Sequence, residues 1–422
     1  MSVWDSIVGQ QPTVEMLSTL AELSAIANRH ADDSIADSTL SNAPQDAQET
    51  EQHNRREQNE QRVRHGLAQS WLFCGPPGSG RSNLARAFAA ALESPDHGMG
   101  DRPSNVTQQI LAGTHPDVTV LSTDKVTIGI DEVRGLISQS EQMPSTAPWR
   151  IIIIEDVDRM LERTTNVLLK EIEEPAEHAI WILCAPSPQD VLPTIRSRTR
   201  LVNLAVPSQA AVTKFILEHT DVDEHVASRA SRLAEGHIGI ARLYATNERV
   251  MSDRDELIVG VLNMQRTSDA VLLAQRLIDS AQGQAQEEVE SQVDRDERNF
   301  RRINGIDEGE RLPVELRTAF HAIGKKEDVR RRITRRSRDV LDRALNSVAS
   351  IYRDIGVLQN DAEDSAGLIN LENRTAITEL SIRIDRNRAV ACLEAIETAR
   401  RRLGSNGAPL LVFEALFSTL VP

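Results

Sequence analysis

The chain has 422 residues, of which 40% are apolar, 26% charged and only 3% aromatic. That length exceeds one ordinary core and fits two or three domains, and so few aromatics leave little material for a base-stacking nucleic-acid module. A net charge of -15 excludes a protein whose whole surface grips phosphate backbones, so any nucleic-acid contact must be local. The opening residues carry no basic, apolar leader, and no apolar run is long enough to cross a bilayer, so a cytoplasmic protein without membrane contact is expected. Cys74, Cys184 and Cys392 are far apart, which suits a reducing compartment and rules out a four-cysteine zinc site.

In chain order, residues 29–62 hold no aromatic and few aliphatics among repeated Gln, Glu, Asp, Ser and Asn, and read as a disordered insertion. Short apolar runs follow at 71–74, 118–121, 151–154 and 180–184, each bounded by Gly, Pro or polar residues, as buried parallel strands are. Helical patterns at 83–92 and 164–172 lie between them, so the first half predicts an α/β fold with a doubly wound parallel sheet. From Ser208 the strand signal is gone and helices are expected, broken near 282–310 by a polar, acidic stretch that reads as a long loop or a second insertion.

Gly75-Pro76-Pro77-Gly78-Ser79-Gly80-Arg81-Ser82 joins the first of those strands to a helix, which is phosphate-loop spacing in phosphate-loop context. Gly75, Gly78 and Gly80 let backbone N–H groups turn toward an anion, the helix adds its N-terminal partial charge, and Ser82 could set its hydroxyl on Mg²⁺. Arg81, however, stands where the motif takes Lys, and a planar guanidinium suits a narrow phosphate niche less well than a compact ammonium. The loop therefore leaves ATP with Mg²⁺ open as a ligand and speaks against turnover.

Ile151-Ile152-Ile153-Ile154-Glu155-Asp156 is an apolar strand ending in two carboxylates, where a nucleotide enzyme holds Mg²⁺ and orients water. The order is inverted, with the longer Glu155 on the metal side and the shorter Asp156 left to polarise water. A plain alternative is a solvated pair with Asp156 answering Arg159 one turn later.

Further stretches join these two. Ile7-Val8-Gly9-Gln10, His115-Pro116-Asp117, Ile130-Asp131-Glu132-Val133-Arg134, Asn166-Val167-Leu168-Leu169-Lys170-Glu171-Ile172-Glu173-Glu174-Pro175 and Leu192-Pro193-Thr194-Ile195-Arg196-Ser197-Arg198-Thr199 follow in order. Together they resemble the AAA+ clamp-loader subunits of bacterial DNA polymerase III from Val3 to about Arg242. Leu341 to Leu345, Tyr352-Arg353-Asp354, Ile369-Asn370 and Phe413 to Leu416 continue the likeness more faintly into that family's helical collar.

The resemblance implies an AAA+ domain at 1–206, a small helical lid at 207–252 and an all-α collar at 253–422. It also implies a heteromeric ring with gamma/tau-type and delta-type subunits, acting on a sliding clamp and, through the complex, on primed DNA. By that resemblance Arg198 is an arginine finger that reaches a neighbour's γ-phosphate, with Thr199 where the motif has Cys. Arg242 would sense bound nucleotide, Val3, Trp4 and Val8 would pack near an adenine, and Gln69 stands where His is common. The family's zinc module is missing, since 93–109 contains no cysteine. The weakened loop and the kept finger suit a stator better than a motor, with a hydrolysing motor subunit and a nucleotide-free scaffold as the alternatives. The arginines between Arg330 and Arg338 share their stretch with an apolar stripe through Ile333, Val340, Leu341, Leu345 and Val348, as an amphipathic helix does.

Overall fold

The computed structural model describes residues 2–38, 67–100, 102–122, 127–307 and 310–422, with side chains 25–38, 314 and 315 left aside. Two compact units result, residues 1–246 and 247–422.

In the first unit, α1 spans Gln11–Ser38 and leads to β1, Ser70–Cys74. Then come α2 (Arg81–Glu93), α3 (Asn105–Leu111), β2 (Val118–Leu121), α4 (Ile130–Ser140) and β3 (Arg150–Ile154). The Rossmann-like alternation ends with α5 (Glu162–Glu173), β4 (Ala179–Ala185), α6 (Pro193–Arg196) and β5 (Arg200–Asn203). All strands pair in parallel in the order β2-β3-β4-β1-β5. β1, β3 and β4 are buried along their whole length, which is why they read as unbroken apolar runs. The sheet core is covered on one face by Leu84, Phe88 and Leu92 of α2, with Phe88 edge-on to Trp71 at 5.2 Å. Ile128, Val133, Leu168 and Ile172 cover the other. The expected parallel α/β sheet is therefore present. β5 was not foreseen because only Val202 of its four residues is buried, leaving no apolar run to read.

The expected disordered stretch at 29–62 falls mostly outside the described residues. Its start does not match, since α1 runs on to Ser38 with no Gly or Pro between Thr13 and Ser38 to stop it. Helices α7 (Gln209–His219), α8 (Glu224–Leu233) and α9 (Ile238–Thr246) complete this unit, two of them opened by side-chain caps from Ser208 and Asp223.

The second unit is all helix: α10 (Glu248–Leu262), α11 (Thr267–Ile303), α12 (Val314–Ile323), α13 (Lys326–Gln359), α14 (Glu363–Ala366), α15 (Arg374–Arg383), α16 (Arg386–Gly404) and α17 (Pro409–Leu420). Long α11 and α13 pack side by side, with Leu341, Leu345, Val348, Phe413 and Phe417 at the centre. Of the two readings of 282–310, a long loop or a second insertion, the loop is corrected as far as Ile303: those residues continue α11, seated by Ala281, Ala285 and Val289 at four-residue spacing. Small Ala side chains among Gln and Glu made that stripe hard to see.

The family-like residues at 352–354 and 369–370 meet here. The buried Asp354 carboxylate accepts the Ile369 and Asn370 backbone N–H groups at 2.9 and 2.8 Å and the Asn370 amide at 2.9 Å, while Arg254 donates to Asn370 Oδ1 at 2.7 Å. This network ties α10, α13 and the 369–370 turn inside the unit. The arginine-rich start of α13 is an ion-paired surface: Arg331 meets Glu327 at 2.6 Å, Arg332 meets Asp296 at 3.9 Å and Arg336 meets Glu288 at 3.5 Å. Among the described residues, no helix is long and apolar enough to cross a membrane.

Candidate functional site

In open parallel sheets ligands gather at the carboxyl ends of the strands. Residues 75–80 leave β1 at that end and enter α2. Gly78 and Gly80 take φ of +84° and +88°, a backbone that L side chains avoid. A Cβ at Gly78 would run into the His237 ring, so glycine is needed there twice over. The Ile238 N–H donates to the Gly78 carbonyl at 3.4 Å, which docks the start of α9 on the loop. The Ser79 hydroxyl is buried beside Gly75 without a hydrogen-bond partner, and Ser82 stands half-buried in the first turn of α2. This is an anion cradle by geometry: positive-φ glycines and the unpaired N–H groups of a helix start.

Arg81 turns that cradle inward. Its side chain, 14% exposed, donates through Nη1 to the Gly75 carbonyl at 2.8 Å and through Nη2 to Asp156 Oδ1 at 2.7 Å. Asp156 holds a φ of +55°, a conformation Asp tolerates better than most residues. Its other oxygen lies 3.4 Å from Arg159, the pairing that the i,i+3 spacing suggested. Glu155 is likewise taken, by Arg86 of α2 at 3.0 Å. Both strand-end carboxylates, the groups a magnesium ion would need, are thus neutralised by the chain's own arginines. The cradle still offers backbone donors to an anion, but the residues around it do not fit a cation-bridged nucleotide. Behind the loop, burial pushes the Cys74 thiol up to about 11 and Cys184 up to about 12, so neither is a reactive thiolate near neutral pH.

The three alternating arginines of residues 196–200 go to three different places. Arg196 donates to the Pro188 carbonyl at 3.2 Å, and Arg200 lies over the Trp71 ring at 5.1 Å. Arg198, with 36% of its side chain exposed, reaches Glu173 at the end of α5: Nε and Nη2 sit 3.2 and 3.3 Å from the two carboxylate oxygens. Its Nη1 donates to the Thr194 carbonyl at 3.1 Å. Thr199 turns inward and donates to the Ile195 carbonyl at 3.1 Å. In the sequence, Glu173 falls within the family-like stretch of residues 166–175 but has no role of its own assigned there.

Other expected residues lie elsewhere. Arg242 is exposed on α9, one turn beyond the segment that docks on Gly78. Val3, Trp4 and Val8 are buried, the first two against α2, and the Val3 N–H donates to the Gly98 carbonyl at 2.9 Å. Gln69 donates to the carbonyls of Ala176 and Ala179 at 2.9 and 3.1 Å and so braces the entry to β4.

His115-Pro116-Asp117 proves to be a brace. Fully buried Asp117 accepts the Ser145 and Thr146 N–H groups at 2.7 and 2.8 Å and the Thr146 hydroxyl at 2.8 Å, and Arg150 sits 3.3 Å away while donating to the Pro116 carbonyl. Burial alone would raise the Asp117 carboxyl, but these hydrogen bonds and the Arg150 charge outweigh it and hold it below its ordinary value. His115 is pulled the other way: burial lowers it, against the pull of Asp117.

Residues 48–208 match the family described as DNA polymerase III, delta subunit. Over this region the chain is similar to the DNA polymerase III clamp-loader family. The delta' subunit of Pseudomonas aeruginosa is 31% identical over 153 residues, 35% of this chain and 47% of that one. The Escherichia coli delta' subunit is 29% identical over 136 residues, 32% and 41% of the two chains, and the Bacillus subtilis tau subunit 31% identical over 153 residues, 35% and 27%. The chain therefore spans less than half the length of these clamp-loader relatives. A gamma subunit-related protein from Thermotoga maritima aligns over 86% of this chain and 98% of its own at 17% identity and a TM-score of 0.38, which by itself decides nothing. The family resemblance drawn from the motifs is borne out.

Proposed function

We propose that this chain is a delta-prime-like stator of a clamp loader, a subunit that lends Arg198 to the ATP site of a neighbour and does not turn over ATP itself. The observation that carries this reading is the Arg81 bridge between the Gly75 carbonyl and Asp156, which spends the loop's cation inside the chain. With Glu155 also paired to Arg86, the chain's own loop lacks a carboxylate available for magnesium, so ATP with Mg²⁺ is not its cofactor in turnover. Arg198 differs: it is surface-held and could meet a phosphate from outside. A guanidinium placed against the charge that builds on a transferring γ-phosphoryl group lowers the barrier for a neighbour's hydrolysis. The partners would be gamma/tau-type and delta-type subunits in a ring that opens a sliding clamp and sets it on primed DNA. A tau-type motor role has weaker support, because the loop's carboxylates are spoken for.

The test is ATP turnover by this chain alone, then by the chain assembled with the same organism's motor subunits, clamp and primed DNA. No turnover alone and an assembled activity that falls about a thousandfold at the neighbouring site on Arg198→Ala are expected. Turnover by the isolated chain would move the assignment to a motor, and an assembled rate indifferent to Arg198→Ala would move it to a passive scaffold.

A further inference from the structure

We infer that Glu173 is a latch for Arg198: the carboxylate holds the guanidinium ready at the surface and must release it when Arg198 meets a polyphosphate anion from outside the chain. The inference rests on the reading of Arg198 as a trans-acting finger.

The geometry presets the pair. Glu173 is the last residue of α5 and Arg198 follows α6, and these two helices are fixed to each other by Leu168, Ile172 and Ile195 in one buried cluster. Neither partner is free to drift far, so the Glu173 carboxylate faces the guanidinium through both oxygens. The Thr194 carbonyl and the Ser197 hydroxyl, at 3.1 and 3.3 Å from Nη1, take a further edge. Held this way, Arg198 cannot fold down beside Arg196 or Arg200, whose guanidinium groups are already engaged with Pro188 and Trp71.

The latch is also weak by construction. Glu173 is 54% exposed and Arg198 36%, and exposed pairs contribute little. A carboxylate at the C-terminus of a helix meets the negative end of the helix dipole, so Glu173 gains from a nearby cation, but solvent at this exposed end keeps that gain small. A phosphate carrying more charge and three acceptor oxygens can displace a single carboxylate from a guanidinium, and its gain is reduced by whatever the latch is worth. Glu173 would then be a positioning residue, acting through Arg198 and setting how much neighbouring nucleotide is needed to draw the finger out.

Glu173→Gln keeps the shape and removes the charge, and at an exposed helix end it leaves folding intact. In the assembled complex, the ATP concentration for half-maximal turnover should fall about two- to fivefold while the maximal rate changes by less than about twofold. Glu173→Asp, which keeps the charge, should restore the wild-type value. An unchanged half-maximal concentration in Glu173→Gln, with Arg198→Ala still abolishing turnover, overturns the latch and leaves the finger standing. A lower maximal rate in Glu173→Gln likewise overturns it, by showing that the contact supports the engaged state. If Arg198→Ala has no effect, the finger reading fails first and the latch with it.

Discussion

Arg81 and Arg198 carry the same guanidinium in the same unit, and burial gives them opposite tasks. Arg81 lies 14% exposed between a loop carbonyl and a strand-end carboxylate and is consumed in holding its own loop together. Arg198 lies at a surface pair with 36% of its side chain in solvent, and is held without being used up. On the stator reading proposed above, such a pair of fates separates a loop turned into a structural brace from a surface cation left available to a group outside the chain. The lesson is general: a charged residue in a motif position tells little until its neighbours decide whether its hydrogen bonds are already spent.

The largest break in this comparison is Arg198→Ala in the assembled complex, where the loss at the neighbouring site should reach about a thousandfold while the stability of the chain itself changes by less than about 1 kcal/mol. The next probes the brace that neither arginine touches. Replacing fully buried Asp117 by Ala leaves Arg150 buried without its partner and should cost about 3–5 kcal/mol of stability in denaturant unfolding. The pH profile adds a sign. Because the folded-state Asp117 carboxyl is held below its unfolded value of 3.8, its contribution is complete above that pH and is lost as pH falls through the lower, folded value. Wild-type stability should thus drop on acidification below about pH 4, and Asp117→Asn should be less stable at neutral pH but flatter across that acid window. A wild-type profile that is flat there, or a variant with the same slope, would remove Asp117 from the acid response.

Much of this was open to reading from the chain. Ile151 to Ile154 and Ile180 to Cys184 announce buried parallel strands because both of their faces are apolar, and the glycines of residues 75–80 announce the cradle because backbone turns of that kind have few other solutions. β5 stayed hidden since an edge strand with one buried residue has no pattern, and the far half of α11 stayed hidden since Ala281 and Ala285 bury so little that a polar run masks them. The pairing of Asp156 with Arg159 was legible at three-residue spacing. Those of Arg81 with Asp156, Arg86 with Glu155 and Arg198 with Glu173 were not, because they join residues 75, 69 and 25 positions apart that only the sheet and its helices bring together.

The finest comparison is between the two ion pairs themselves. In a double-mutant cycle of Arg81→Met and Asp156→Asn, the coupling should be about 1.5–3 kcal/mol, because both side chains are largely withdrawn from water and the guanidinium also satisfies the Gly75 carbonyl. The matching cycle of Arg198→Met and Glu173→Gln should give less than about 1 kcal/mol, since two half-exposed side chains gain little Coulomb energy and lose freedom on pairing. Salt sharpens the distinction, because screening acts on the exposed pair and largely spares the withdrawn one. Equal couplings at low salt that weaken in parallel as salt is raised would mean that Arg81 is no more committed to its loop than Arg198 is to Glu173. A loop whose cation can leave so cheaply would be open to a nucleotide again, and the stator reading would lose its main support.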